Sequence, residues 1–207
     1  MYQPKHFEQT DRAQIAALLR AHPLATLVHQ SSTGLTADAV PLLFDVDEGA
    51  HGALRGHVAR ANPLWRDADG RDVLAIFNGP QGYVTPSWYP SKREHGKVVP
   101  TWNYAVVHAH GRLRAVDDAR WLRAFVERLT TTHEGGRAAP WAVHDAPTDY
   151  IESMLRAIVG FEIALTRVEA KWKVSQNRAA SDRDGVAAGL DADGHAAMAT
   201  LVRGGPT

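Results

Sequence analysis

Three stretches of this chain gather side chains able to hold an anionic or planar ligand. The first is Gly56-His57-Val58-Ala59-Arg60-Ala61-Asn62-Pro63. Guanidinium donors match phosphate oxygens, so an Arg with a neighbouring Asn and free backbone N–H groups at a turn suits a phosphate. The same residues also read as a strand end closed by an Asn-Pro turn. The second stretch is Tyr83-Val84-Thr85-Pro86-Ser87-Trp88-Tyr89, resuming at Pro100-Thr101-Trp102-Asn103-Tyr104. Two Trp and three Tyr fall within 22 residues, interleaved with hydroxyls and an amide. Flat aromatic faces beside hydrogen-bonding groups suit a planar ligand; they suit a barrel core or a subunit interface equally. The third is Lys171-Trp172-Lys173-Val174-Ser175-Gln176-Asn177-Arg178. Lys173, Gln176 and Arg178 can reach an anionic or carbonyl-rich ligand, against the alternative of a solvated basic turn.

Other chemistries find less support. The chain has no cysteine, which removes disulfides, thiolate catalysis and Cys-ligated metal sites. Its 11 histidines include His108 and His110, two apart in an extended segment and so on one side of it. No H-E-x-x-H set occurs, so no metal site is expected; haem ligation by a single histidine stays open. The glycine-rich phosphate loops and the G-x-S-x-G nucleophile turn are absent. Lys and Arg total 23 and Asp and Glu total 23, for a formal net charge of zero. With no basic excess and no cation-rich recognition helix, direct DNA contact is disfavoured. The opening residues lack the apolar core of a signal peptide, and no apolar run is long enough to span a bilayer. A location in the cytoplasm is the expectation.

The elements that must position these residues follow from periodicity. Thr10 or Asp11 can cap a helix whose apolar face holds Ile15, Leu18 and Leu19, ending at His22-Pro23. Strands are expected over 24–30, 35–43, 53–58 and 72–78, with Gly79-Pro80-Gln81-Gly82 as a turn, then over 83–89 and 100–114. Pro41 marks its strand as an edge or a bulge. Residues 91–97 read as a polar loop. Helices follow over 117–132 and 147–159, the second ended by Gly160, then a strand over 161–169. Many strands, two helices and a late strand indicate a mainly β, α+β chain, a closed or nearly closed barrel decorated by helices. The 207 residues divide into one domain over 1–185 and a tail over 186–207 with at most one weak helix.

Together with the opening Met1-Tyr2-Gln3-Pro4-Lys5-His6-Phe7, these motifs occur in an order that resembles the PaiB family, described as FMN-binding negative transcriptional regulators. The resemblance runs from residue 1 to about 190. It implies an FMN-binding split β-barrel, a homodimer with the cofactor in a groove lined by both subunits, and a redox-linked role in regulation. It further implies that His57, Arg60 and Asn62 lie near the FMN phosphate and ribityl chain. Ser87, Trp88, Tyr89, Thr101, Trp102 and Asn103 would surround the flavin, with Lys173 and Gln176 reaching it across the seam. The alternatives are an FMN-dependent reductase or oxidase acting on a small molecule, and a haem-binding or haem-degrading split barrel.

Overall fold

The computed structural model describes residues 1–204; residues 205–207 of the expected tail lie outside the described residues. After a single helical turn at Lys5–Phe7 the chain forms β1 (Glu8–Gln9), α1 (Arg12–Ala21), β2 (Leu24–Ser31), β3 (Gly34–Pro41), β4 (Leu43–Asp45) and β5 (Ala53–Ala59). It continues through α2 (Leu64–Asp67), β6 (Asp72–Val84), α3 (Ser91–His95), β7 (Thr101–Val116), α4 (Ala119–Glu134) and α5 (Thr148–Arg156). The last elements are β8 (Ile158–Lys173), α6 (Ala180–Ala192) and α7 (Ala196–Gly204). The strands build one antiparallel eight-stranded sheet in the order β3-β2-β6-β7-β8-β5-β4, with β1 also paired to β8. The α+β class expected from the sequence is therefore the class observed. Pro41 lies on β3, at the end of that order, where its missing N–H leaves no ladder bond unmade.

The chain clusters into two compact units. Unit one comprises Met1–His22, Phe77–His108 and the chain from Glu169 on. Asp11 caps α1, accepting from the N–H groups of Ala13 and Gln14 at 2.8 and 3.3 Å, and the helix buries Leu18 and Leu19. The Gly79-Pro80-Gln81-Gly82 segment does not turn; it lies inside β6. Neither glycine has a positive φ. Both are there for close approach: a Cβ on Gly79 would sit 2.7 Å from Leu18, and one on Gly82 would sit 2.6 Å from Leu190.

The expected tail is also corrected. Two helices stand where one weak helix is expected, and the boundary at 185 falls inside α6. Val186, Leu190, Met198, Ala199 and Val202 are buried. Asp182, itself buried, accepts from the backbone N–H and the hydroxyl of Ser91 at 3.1 and 2.7 Å. Gly185 and Gly189, one helical turn apart, let α6 lie against Trp88. A Cβ on Gly185 would fall 2.1 Å from the Trp88 carbonyl oxygen, and one on Gly189 would fall 2.2 Å from the indole ring.

Unit two comprises Pro23–Ile76 and Ala109–Val168. The β2–β3 hairpin closes at the Ser31–Gly34 pair, with Gly34 at φ 119°, a conformation open to glycine and strained for side chains. Asp118 caps α4 by accepting from Trp121 N–H at 2.7 Å. Leu122, Val143, Ile151 and Leu155 form a buried cluster under α4 and α5. Gly160 does not end a helix; it lies in β8, and a Cβ there would meet the Trp121 ring at 2.1 Å. That ring stacks on Phe125 at 5.1 Å, and its N–H donates to Glu162 at 3.1 Å. Glu162 also accepts from Arg55 at 2.9 Å and from Arg114 at 2.5 Å.

Two outcomes follow from these contacts. Gly189→Ala overpacks Trp88 and should cost about 1–3 kcal/mol in urea unfolding, whereas Gly194→Ala meets no atom but strains a left-handed residue. Burial pushes the Glu162 carboxyl up, but the bonds from Arg55, Arg114 and Trp121 outweigh it and hold it below the usual carboxylate range. Its stabilisation is complete above the unfolded carboxylate range and is lost as pH falls through the depressed folded value. Glu162→Gln should therefore flatten the acid limb of the thermal midpoint against pH, and an unchanged limb would assign it to other carboxylates.

Candidate functional site

In unit one, the start of β7 and the end of β8 bring the second and third sequence stretches together. The β alternation turns Asn103 inward, where it is 1% exposed, and leaves Trp102 outward at 54%. The Lys173 ammonium donates to the Thr101 hydroxyl and, at 2.6 Å, to the Trp102 carbonyl. Asn103 donates to the Ser175 hydroxyl at 2.9 Å. Ser175 is the one described non-glycine residue with a positive φ, 62°. Left-handed backbone at such a residue costs free energy and persists only where the surroundings hold it. Here burial and the Asn103 bond do so, fixing the turn that leads from Lys173 to Arg178.

Lys171 is missing from the sequence-based selection. It stands two residues before Lys173, on the same face of β8, and is buried. Its ammonium donates to the Tyr2 carbonyl at 3.1 Å and lies over the ring of Tyr104 at 5.3 Å and that of Tyr2 at 5.7 Å. Arg178 lies over Tyr89, 5.0 Å from the ring centroid. The Tyr89 hydroxyl is buried without a hydrogen-bond partner among the described residues, and burial holds the phenol above its ordinary range against the pull of Arg178. Burial, then the charges of Lys171 and Arg178, hold Lys173 below the ordinary lysine range. Among the described residues no carboxylate forms an ion pair with any of these three cations.

The remaining expected residues of unit one have other engagements. Gln176 accepts from Val174 N–H at 2.8 Å and donates to the carbonyls of Trp172 and His6 at 2.6 and 3.1 Å, so its amide ties the turn. Trp88 is covered by the glycine face of α6. Ser87 is exposed, 3.5 Å from the Lys92 ammonium. Trp102 meets Tyr83 edge to face at 6.0 Å. Both rings are largely open, Tyr83 being 46% exposed.

In unit two, His57, Arg60 and Asn62 take local partners. The Arg60 guanidinium forks onto Asp117 at 2.7 and 2.6 Å and donates to the carbonyls of Arg156 and Ile158 at 2.8 and 3.1 Å. That bond holds Asp117 below the usual carboxylate range. Asn62 donates to Asp38 at 2.7 Å and accepts from Leu64 N–H at 2.8 Å. Asp38 in turn meets the buried His29 at 3.3 Å. His57 lies edge-on to Phe125 at 5.7 Å, and burial lowers its pKa.

Residues 1–167 match the family described as "Putative FMN-binding domain". A Bacillus subtilis protein named protease synthase and sporulation protein PAI 2 is 34% identical over 186 residues, covering 88% of this chain and 85% of that protein. The chain belongs to the PaiB family. FMN is the cofactor of this family. The α6 and α7 helices lie beyond the matched stretch. Among solved structures, a flavocytochrome from Azotobacter vinelandii has a TM-score of 0.58 at 15% identity, covering 81% of this chain and 69% of that one. An FAD- and haem-binding protein from Mycobacterium smegmatis has a TM-score of 0.57 at 21% identity, covering 80% of this chain and 72% of that one. These two likenesses establish the shared fold of the PaiB-family chain. Among the described residues, no helix is long and apolar enough to cross a membrane.

The Lys173 environment gives a pH signature. Its charged form attracts an anion, and its pKa is depressed, so affinity for FMN should fall with rising pH before an ordinary lysine would titrate. Flavin-fluorescence titrations across alkaline pH should show that limb, and Lys173→Gln should abolish it. A limb that survives in the variant would remove Lys173 from the site.

Proposed function

We propose that this PaiB-family protein is a flavoprotein whose FMN sits on the Thr101–Asn103 and Lys171–Arg178 cluster of unit one. One observation carries the reading: Lys171, Lys173 and Arg178 have no carboxylate partners among the described residues, beside open aromatic rings. Buried or half-buried cations without counter-charges are costly to maintain, and an anionic cofactor repays that cost.

The residues present fit the group. Lys173 and Arg178 would meet negative charge on the flavin or its phosphate, because both carry charge-assisted donors. The Tyr89 hydroxyl, orphaned in its buried position, would donate to a ligand oxygen. Trp102 and Tyr83 offer rings to the isoalloxazine plane. Bound FMN supplies hydride and one-electron transfer, and these side chains bind and orient it. Arg60 and Asn62 serve as ties within unit two, since their donors already have partners.

The finer reading is a split barrel that dimerises, leaving FMN in a groove lined by both subunits. The half-exposed Trp102 and Tyr83 support a subunit contact there, because such rings concentrate at interfaces. We assign the protein to the cytoplasm and to redox-linked regulation of transcription, a role supported by PaiB membership. The equal numbers of acidic and basic residues favour an indirect effect over direct DNA contact. A small-molecule substrate reduced or oxidised by the flavin is the enzymatic version of the same site.

The test is to load the purified protein with FMN, remove the excess, and record the absorbance spectrum. Retention of one flavin per chain is expected. Lys173→Ala should weaken FMN binding by about 10- to 100-fold, the size of a lost charge-assisted hydrogen bond. A correctly folded protein that cannot be loaded, or a Lys173→Ala variant with parental affinity, would overturn the assignment.

A further inference from the structure

Unit two holds a second concave surface that the flavin reading does not use. A cleft of about 600 Å³ opens between the start of α4 and the end of α5, within the range of small-molecule sites. Its lining includes Arg120, Arg123 and Arg156, the aliphatic side chains of Leu122 and Leu155, and Glu152. Both leucines are buried members of the core beneath the helices. The Arg60–Asp117 pair also contributes to the lining.

Among the described residues, the arginines of unit two divide into those that hold a carboxylate and those that do not, Arg66, Arg71 and Arg112 being of the second kind with the three of the cleft. Arg55, Arg60, Arg114, Arg128 and Arg137 in the same unit all pair with carboxylates. Arg120, Arg123 and Arg156 make no side-chain ion pair or hydrogen bond among the described residues. Arg60 and Asp117 cancel. Three free guanidinium groups against the single carboxylate of Glu152 therefore leave a surplus of two positive charges around one aliphatic floor. No Trp, Tyr or Phe lines the cleft, so it lacks the flat aromatic surface an isoalloxazine would use.

We propose that this cleft binds a phosphate monoester with a short aliphatic body, at a site separate from that of FMN. The dianionic head matches the surplus charge, and planar guanidinium groups hold phosphate oxygens in pairs. The aliphatic body covers Leu122 and Leu155. Glu152 accepts from a hydroxyl or amine carried on that body, and it disfavours a second acidic group there.

The experiment is isothermal titration of the FMN-loaded protein with butyl phosphate, and with inorganic phosphate and butanoate as partial probes. Butyl phosphate should bind at least about tenfold more tightly than either partial probe, since it alone carries both the dianion and the apolar body. Arg120→Ala/Arg123→Ala should weaken it by about tenfold or more, with FMN affinity in parallel titrations unchanged. Arg123→Lys, which keeps the charge and loses the fork, should fall between the two. Equal binding of the three probes, or butyl phosphate binding that is undetectable or unaffected by the substitutions, would overturn the proposal. So would a loss of FMN affinity in the folded double variant, because the cleft would then be the flavin's own. Failure of FMN loading in the parent protein tests the flavin reading alone, since butyl phosphate can still be titrated into the flavin-free chain.

Discussion

Placing a lysine ammonium away from water without a carboxylate is costly, and much of unit one is arranged around Lys171. The N-terminal segment supplies its compensation. The Tyr2 carbonyl accepts from the ammonium, while the rings of Tyr2, Phe7 and Tyr104 lie within 6.0 Å of it. The segment is held by short contacts of its own: Gln3 donates to the Ala170 carbonyl at 2.6 Å, and Glu8 pairs with Lys171 across the β1–β8 ladder. With Lys171 satisfied by a carbonyl and π faces, its positive charge is left unneutralised. Two residues on, Lys173 inherits that field. Its own acceptors are a hydroxyl and a carbonyl, neither of which cancels charge. The electrostatics at the end of β8 thus begin with the opening residues of the sequence.

Polar side chains elsewhere divide between those that complete their hydrogen bonds internally and those that do not. Gln176, Asn62 and Arg60 belong to the first kind. Each looked suitable for a ligand because amides and guanidinium groups have many polar atoms, and those atoms are used to tie a turn in Gln176, to accept from the Leu64 N–H in Asn62 and to secure a strand end in Arg60. Tyr89 belongs to the second kind, with a buried hydroxyl and a cation over its ring. A residue's chemical type shows what it can bond; only its neighbours show what is left over.

Much of the fold was legible because its signals were periodic. Asp11 caps the helix it was expected to cap, and β2 and most of β5 follow alternation along the chain. Some errors lie in 83–97, where a helical turn at Pro86–Trp88 and α3 stand in place of the end of a strand and a loop; the others fall at glycines. Gly79, Gly82 and Gly160 read as punctuation because glycine is the usual residue of turns and caps, yet each lies within a strand beside a side chain that leaves no space for a Cβ. Sequence order cannot distinguish a glycine that frees the backbone from one that admits a distant neighbour. The same ambiguity hid α6. Its glycines and aspartates lower intrinsic helix propensity, while its packing comes from contact with Trp88 and from the buried Asp182–Ser91 bonds. Of the candidate site, the motifs include the start of β7 and the end of β8, which the Lys173 bonds bring together, and Lys171 was passed over because a basic run resembles a solvated turn.

The segment order of unit one has a kinetic side. Its three stretches, Met1–His22, Phe77–His108 and the chain from Glu169 on, are separated by the two stretches that make unit two. Contacts such as Glu8 with Lys171 or Asn103 with Ser175 close long loops, and loop closure is an entropic charge met before any contact rewards it. The β2–β3 hairpin, by contrast, is local and closes through two residues. The cation-rich turn after β8 is accordingly ordered only once sequence-distant partners have met.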